Sequence, residues 1–274
     1  MSGPSWLYRM YESRLQRQLK GTRMPRHVAV MLDGNRRWAK EIGRSATYGH
    51  ARGAEKITDF LGWCSESGIE LVTLWLLSTD NVKRAKEELE PLLEIIATTV
   101  ENLASVHEWE MSIVGNLDML PGDYAGRLRH AVSTQTTLMN SSPESAQAHG
   151  SPKPEEGGSS KLHVNIAVMY GGRQEITDAV QAYLHEQAEA GKTLEQVAQD
   201  FSLEDIGNHL YTRGQPDPDL VIRTSGEQRM SGFMLWQSVH TELYFCETYW
   251  PAFRRVDFLR ALRDFTLRDR RKGA

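Results

Sequence analysis

An apolar run ends in a bare carboxylate at Asp33, within VAVMLDGNRRWAK (residues 28–40), and Gly34, Asn35, Arg36, Arg37 and Trp38 follow at once. One acid beside two guanidinium groups suits an anionic ligand, because arginine forks bind phosphate oxygens bidentately. The carboxylate has a role there if it holds Mg2+ against a polyphosphate whose remaining charge the arginines neutralise. Structural ion pairing is the other use of such residues. Three further clusters carry similar chemistry: Ser78-Thr79-Asp80-Asn81, Tyr170-Gly171-Gly172-Arg173 and Arg223-Thr224-Ser225-Gly226. Arg36, Arg37, Arg84, Arg173, Arg223 and Arg229 are all candidates for the same rim. The glycines of DGN, YGG and TSGE would let backbone N–H groups approach the same oxygens.

Such clusters need like-oriented supports. HVAVML (27–32), IELVTLWLLS (69–78), EMSIVGN (110–116) and LHVNIAVMYGG (162–172) read as strands, with a fifth inside DPDLVIRTSG (217–226) and a sixth inside TELYFCETYW (241–250). Helical periodicity lies between them, at 53–68, 85–106, 124–139, 173–191 and near 255–270; Pro91 predicts a kink or a split in the second of these. Apolar strands alternating with helices predict an α/β domain with a mostly parallel sheet covered on both faces. In open parallel sheets ligands bind outside the carboxyl ends of the strands, so the four clusters are expected to converge on one site. Leu74, Trp75, Leu76 and Leu77 would line its wall for a greasy substrate tail, or serve as ordinary core.

The remaining features narrow the class. Thirty-two basic and 36 acidic residues among 274 give a net charge of −4, so no global field recruits nucleic acid and an anion site must be built locally. Cys64 and Cys246 lack CxxC spacing and read as reduced, partly buried thiols. The first residues have no apolar h-region, and no apolar run reaches the roughly 20 residues of a membrane span, which predicts a cytosolic protein. NSS at 140–142 matches a glycosylation sequon, which without a signal reads as chance. Residues 1–24 carry Trp6, Leu7, Met10, Tyr11, Leu15 and Leu19 at helical spacing with Arg9, Arg14, Arg17 and Lys20 between them. This reads as a helix packed on the body or on a partner, or alternatively one resting peripherally on a membrane. Residues 140–161 hold no apolar side chain larger than alanine and read as a surface insertion. No Walker A, G-x-G-x-x-G, GxSxG or HExxH sequence occurs, which leaves phosphate recognition without a nucleotide signature.

Five blocks then carry a resemblance. HVAVMLDGNRRWAK, GIELVTLWLLSTDN, NIAVMYGGR, DPDLVIRTSGEQRMSGFMLWQS and TELYFCETYWPAF, in this order, are similar to the signature blocks of the cis-prenyltransferases, the undecaprenyl diphosphate synthase family. The similarity covers residues 25–273 apart from the insertion. It implies condensation of isopentenyl diphosphate onto an allylic diphosphate with a new Z double bond. It also implies Mg2+, a homodimer, and a single domain with a six-stranded sheet and an apolar substrate tunnel. By motif, Asp33 would position Mg2+ on the diphosphate, and Glu242 would complete the metal site. Gly34, Asn35, Arg36 and Arg37 would cradle the allylic diphosphate, with Trp38 and His50 beside them. Arg223, Arg229, Met230 and Ser231 would bind isopentenyl diphosphate. Asn81 matches the residue that removes the proton, with Ser78, Thr79, Asp80 and Arg84 nearby, and RKG (271–273) would reach across the dimer to the diphosphates.

Several positions depart from the long-chain pattern: Ala46 replaces an arginine, Val82 an aromatic and Leu77 a phenylalanine. The departure with most bearing on function is Leu76, which stands where long-chain members carry alanine. A bulkier wall residue predicts that growth stops early, with (2Z,6E)-farnesyl diphosphate from geranyl diphosphate as the leading product and a long-chain polyprenyl product as the alternative. Two rivals from other classes stand beside this reading. An aspartate-nucleophile phosphatase also ends its first strand in an acid, but Asn35 here occupies the place of its second acid. A non-catalytic partner subunit would lack the acid that Asp33 supplies. The helical prenyl synthases need DDxxD, which is absent.

Overall fold

The computed structural model describes residues 5–83, 85–140 and 161–268. Six strands alternate with helices in chain order: β1 (His27–Met31), β2 (Leu71–Ser78), β3 (Glu110–Val114), β4 (His163–Tyr170), β5 (Leu220–Arg223) and β6 (Glu242–Phe245). The helices are α1 (Ser5–Leu19), α2 (Asn35–Glu41), α3 (Ala46–Glu66), α4 (Lys86–Val106), α5 (Tyr124–Asn140), α6 (Gly172–Glu189), α7 (Leu194–Asp200), α8 (Leu203–Gly207) and α9 (Arg255–Leu267). All strand pairs are parallel, in the order β3-β4-β2-β1-β5-β6. The single α/β domain and its six-stranded parallel sheet match the expectation.

Alternation along the strands shows why both faces are covered. Val28 and Val30 of β1, with Leu220 and Ile222 of β5, join a core cluster that includes Ile57, Phe60 and Leu61 of α3 and Leu92, Leu93 and Ile96 of α4. Ala29, Met31 and Val221 point the other way, into a second cluster closed by Phe233 and Met234. A strand apolar at every position is therefore buried twice over. α1 packs along α9, burying Leu15 and Leu19 and setting Tyr8 and Tyr11 under Arg254 and Arg260, while Trp6 and Met10 stay exposed. The helix thus takes the packed-on-the-body option. Among the described residues no helix is long and apolar enough to cross a membrane.

Local departures have physical reasons. α4 runs unbroken through Pro91, so neither a split nor a separate element forms there. α3 begins seven residues before the predicted start, at the Ser45 cap, whose side chain accepts from Tyr48 N. β2 breaks register with β4 on either side of Leu77: Trp75 pairs Ala167, Leu77 pairs Val168 and Ser78 pairs Tyr170. Leu76 and Met169, the latter at φ 52, are the residues left over. Such a bulge re-aims side chains next to a site.

A buried polar chain crosses the sheet. His27 Nδ1 donates to Pro216 O (2.8 Å), so in the neutral ring Nε2 accepts from Thr73 Oγ1 (2.8 Å), which in turn accepts from Asn165 Nδ2 (3.2 Å). Burial is the main cause that pushes the His27 pKa down to about 4. Unfolded histidine titrates near 6.5, so between those values the unfolded chain binds the extra proton and stability falls as pH drops. Urea unfolding is expected to show a loss of about 2 kcal/mol from this group between pH 7.5 and 5. The His27→Gln variant should lack that share of the loss.

Candidate active site

The predicted convergence is real for three of the four clusters. A cavity of about 690 Å³ opens at the carboxyl ends of β1, β2 and β5. Its polar rim includes Asp33, Asn35, Arg36, Arg37, His50, Ser78, Asp80, Asn81, Arg223 and Ser231, with Gly34 in the backbone. Its apolar wall is built from Ile57 of α3, Trp75 and Leu76 of β2, and Leu92, Ile95 and Ile96 of α4. Trp75 and Leu76 pack on opposite faces of the sheet, Trp75 with the second cluster and Leu76 with the first, and both line the cavity where β2 ends; the bulge leaves Leu76 and Leu77 on the same face.

Asp33 is fixed by its backbone and paired through its side chain. Its N–H donates to Met31 O (2.9 Å), and its carbonyl accepts from Trp250 N (3.0 Å) and Thr224 Oγ1 (2.8 Å). Oδ2 accepts from Arg223 Nε (3.0 Å) and Nη2 (2.8 Å). Arg223 closes β5 opposite Met31 and is 5% exposed in its side chain, whereas that of Asp33 is 42% exposed. The same guanidinium donates to Ser231 Oγ (2.8 Å) and to the carbonyl of Arg229. A nearly buried cation is thus oriented by β5 and held toward a half-open acid.

Gly34 turns the chain into α2 with φ 102, and a side chain there would run into Tyr249 and Ser225. α2 then lies tight against α3, because Gly49 and Gly53 leave room for the Asn35 carbonyl and its Oδ1. Asn35 Nδ2 donates to Leu32 O (2.9 Å), while Oδ1 is buried with no hydrogen-bond partner among the described residues. Arg36 pairs with Glu88 at 3.2 Å. Arg37 donates to Glu227 Oε1 (2.9 Å) and Ser225 Oγ (2.8 Å). Glu227 also holds Arg229, and these arginines, Arg229 foremost, lower its pKa.

The prenyltransferase family model described as "Putative undecaprenyl diphosphate synthase" matches residues 31–151 and 143–273. The chain belongs to this family. It is 53% identical over 268 residues to "(2Z,6E)-farnesyl diphosphate synthase" of Thermobifida fusca, covering 97% of each chain. It is 49% identical over 271 residues to "Short-chain Z-isoprenyl diphosphate synthase" of Mycobacterium leprae, covering 97% of this chain and 95% of that one. Among solved structures, lavandulyl diphosphate synthase from Lavandula x intermedia, in complex with dimethylallyl diphosphate, superposes with a TM-score of 0.74 at 31% identity. That match covers 90% of this chain and 97% of the other.

Not every residue expected of a prenyltransferase site lies at the cavity. Glu242 opens β6 in register with Leu220, level with Val28, at the opposite end of the sheet from Asp33. Its carboxylate is bound by Arg268 at 2.8 Å, so within one chain it does not share a metal with Asp33. Thr79 rests beside Gly171, Trp38 stacks on Tyr48 (6.0 Å, 7°), and Met230 packs into the second core cluster; none of these lines the cavity. Arg229 is exposed and reaches the site through its carbonyl on Arg223 and through Glu227. The fourth cluster serves packing: Gly171 and Gly172 admit Thr79 and the Gly232 carbonyl, and Arg173 points to solvent. Arg84, residues 141–160 and RKG (271–273) lie outside the described residues. Sequence reasoning passed over Lys40, Arg44, Glu227 and Trp250. The first two sit inside or just after the first block, where their charge alone was the available signal.

Proposed function

We propose that the chain elongates an allylic diphosphate with isopentenyl diphosphate in the Z configuration and stops at a short product, (2Z,6E)-farnesyl diphosphate made from geranyl diphosphate. The carrying observation is the cavity itself: a rim of Asp33, Arg36, Arg37 and Arg223 beside an apolar wall that includes Leu76. Relatives across nearly the whole chain bear names of that activity.

Mg2+ fits the rim. It binds through one or two carboxylates plus substrate phosphates rather than in an all-protein cage. Asp33 offers Oδ1, which accepts no hydrogen bond from the described residues, while Arg223 occupies Oδ2. No group of three or more His, Cys, Asp or Glu residues converges among the described residues, as suits a metal brought with its diphosphate. When bound, the ion would neutralise charge on the leaving diphosphate. In a homodimer, Glu242 could join this site only from the second copy, since its own lies at the far end of the sheet.

The residues divide the reaction as follows. Arg36 and Arg37 hold the allylic diphosphate while its C–O bond breaks and the electron pair leaves with pyrophosphate. The double bond of isopentenyl diphosphate, held by Arg223, Ser231 and Arg229, attacks the allylic carbon. Asn81 lines the same cavity, which supports assigning it to the step in which the proton is then lost. A carboxamide is no base, so Asn81 orients the step, and the departing pyrophosphate is the group basic enough to take the proton. The apolar wall excludes water that would otherwise capture the cation. Incubation of the purified chain with geranyl diphosphate and labelled isopentenyl diphosphate should give mainly a C15 product on chromatography. Products mainly of C50 or longer would overturn the short-chain assignment.

A further inference from the structure

The cations of the cavity divide by what they already hold. Arg223 is committed to Asp33 and Ser231, Arg36 to Glu88, and Arg37 to Glu227 and Ser225. Lys40 and Arg44 line the same cavity, and neither has a carboxylate within ion-pair distance among the described residues. A cation with no resident acid meets an incoming anion without giving up a partner. Lys40 lies four residues beyond Arg36 on α2, hence on the same face and about 6 Å further along the axis. Arg44 is placed by its N–H on Ala39 O (2.8 Å) and by its guanidinium over the Tyr48 ring (5.5 Å). Beside it, the Ser45 hydroxyl caps Tyr48 N and Ala46 brings no polar side chain, so this part of the rim depends on Arg44 for its charge.

We propose that Lys40 and Arg44 form an outer anion subsite that takes the terminal phosphate of the allylic diphosphate. The inference rests on the prenyl-transfer reading above. The carbon-bearing phosphate must lie by Asp33, where the bond breaks, and its neighbour must then extend away from the acid. Along α2 that direction leads past Arg36 to Lys40 and, across the turn, to Arg44. Isopentenyl diphosphate, held on the β5 side by Arg223 and Ser231, does not reach these two.

Equilibrium binding by titration calorimetry, with no turnover required, separates the outcomes. Arg44→Ala and Lys40→Ala are each expected to weaken geranyl diphosphate binding about tenfold, the scale of one charge-assisted contact. Geranyl monophosphate, which lacks the terminal phosphate, should bind these variants as it binds the unsubstituted chain. Arg44→Lys should retain part of the affinity, and KM for isopentenyl diphosphate should not move. Equal losses for monophosphate and diphosphate would show that Arg44 merely supports the Tyr48 packing, and unchanged diphosphate binding would show no contact; either overturns the subsite. If the unsubstituted chain itself fails to bind geranyl diphosphate, the functional reading falls and the subsite with it.

Discussion

Asp33→Ala is expected to lower kcat for geranyl diphosphate and isopentenyl diphosphate on the order of 10³-fold, the upper range for removing one preorganised group that stabilises leaving charge. The geometry explains why one side chain carries so much. Backbone bonds to Met31, Thr224 and Trp250 hold Asp33 at the strand end, so its carboxylate needs no reorganisation when the ligand arrives. The fold should survive. Arg223 loses its counter-ion while almost fully buried, but it keeps Ser231 and the Arg229 carbonyl, and Asp33 itself is half open to water. A stability loss of about 1–2 kcal/mol follows, well below the cost of breaking a fully buried pair. Asp33→Asn should unfold nearer the unsubstituted chain, since an amide oxygen can still accept from Arg223, yet be almost as slow. Turnover of purified variants and their melting temperatures check both halves. Near-full activity in Asp33→Ala would remove the acid from the chemistry.

Leu76→Ala is expected to shift the main product from C15 to longer chains. Leu76 stands at the bulge of β2, half-buried against the core around α3 and α4, and faces the cavity beside Trp75. Truncation removes an isobutyl group from the apolar wall, and close-packed neighbours refill such space only in part. Because part of its surface already faces the cavity, the stability cost should fall below the usual range for a buried leucine, at about 1–2 kcal/mol. Chromatography of dephosphorylated products, with geranyl diphosphate as acceptor, reads the outcome. A variant of unchanged rate that still makes only C15 would show that another wall, such as Ile95 or Leu92, sets the stop.

Much of this site was legible because strands buried on both faces announce themselves by unbroken apolar runs, and HVAVML ends where a charged residue must follow. The order of the sheet was not legible, since periodicity reveals strands but not which neighbours they pair. This is why four clusters were expected at the cavity and only three arrive there: β4 follows β2 in the sheet, but its glycines are spent on packing. α2 escaped notice because seven residues after a left-handed glycine, rich in charge, carry no helical stripe. α7 and α8 escaped for the same shortness, although Thr193 and Ser202 both form capping boxes. Glu242 opens its strand at the far end of the sheet from Asp33, so the metal role that the resemblance gives it would have to be filled across a dimer, and no strand pattern announces that. The bulge at Leu76 depends on β4 as much as on β2, and no single segment encodes it.

Two of the three glycines of α3, those that face α2, have a wider consequence. Asn35, Arg36, Arg37 and Lys40 ride on one short helix whose seating is set by hydrogen atoms at Gly49 and Gly53, where any larger group would push against Asn35. Gly49 is not among the residues that line the cavity, yet a methyl there would meet the Asn35 carbonyl and the Ala39 side chain, so the helix that carries Arg36, Arg37 and Lys40 would have to shift. The mutational footprint of this catalyst therefore extends beneath its visible surface, into a seam where the decisive feature is missing carbon.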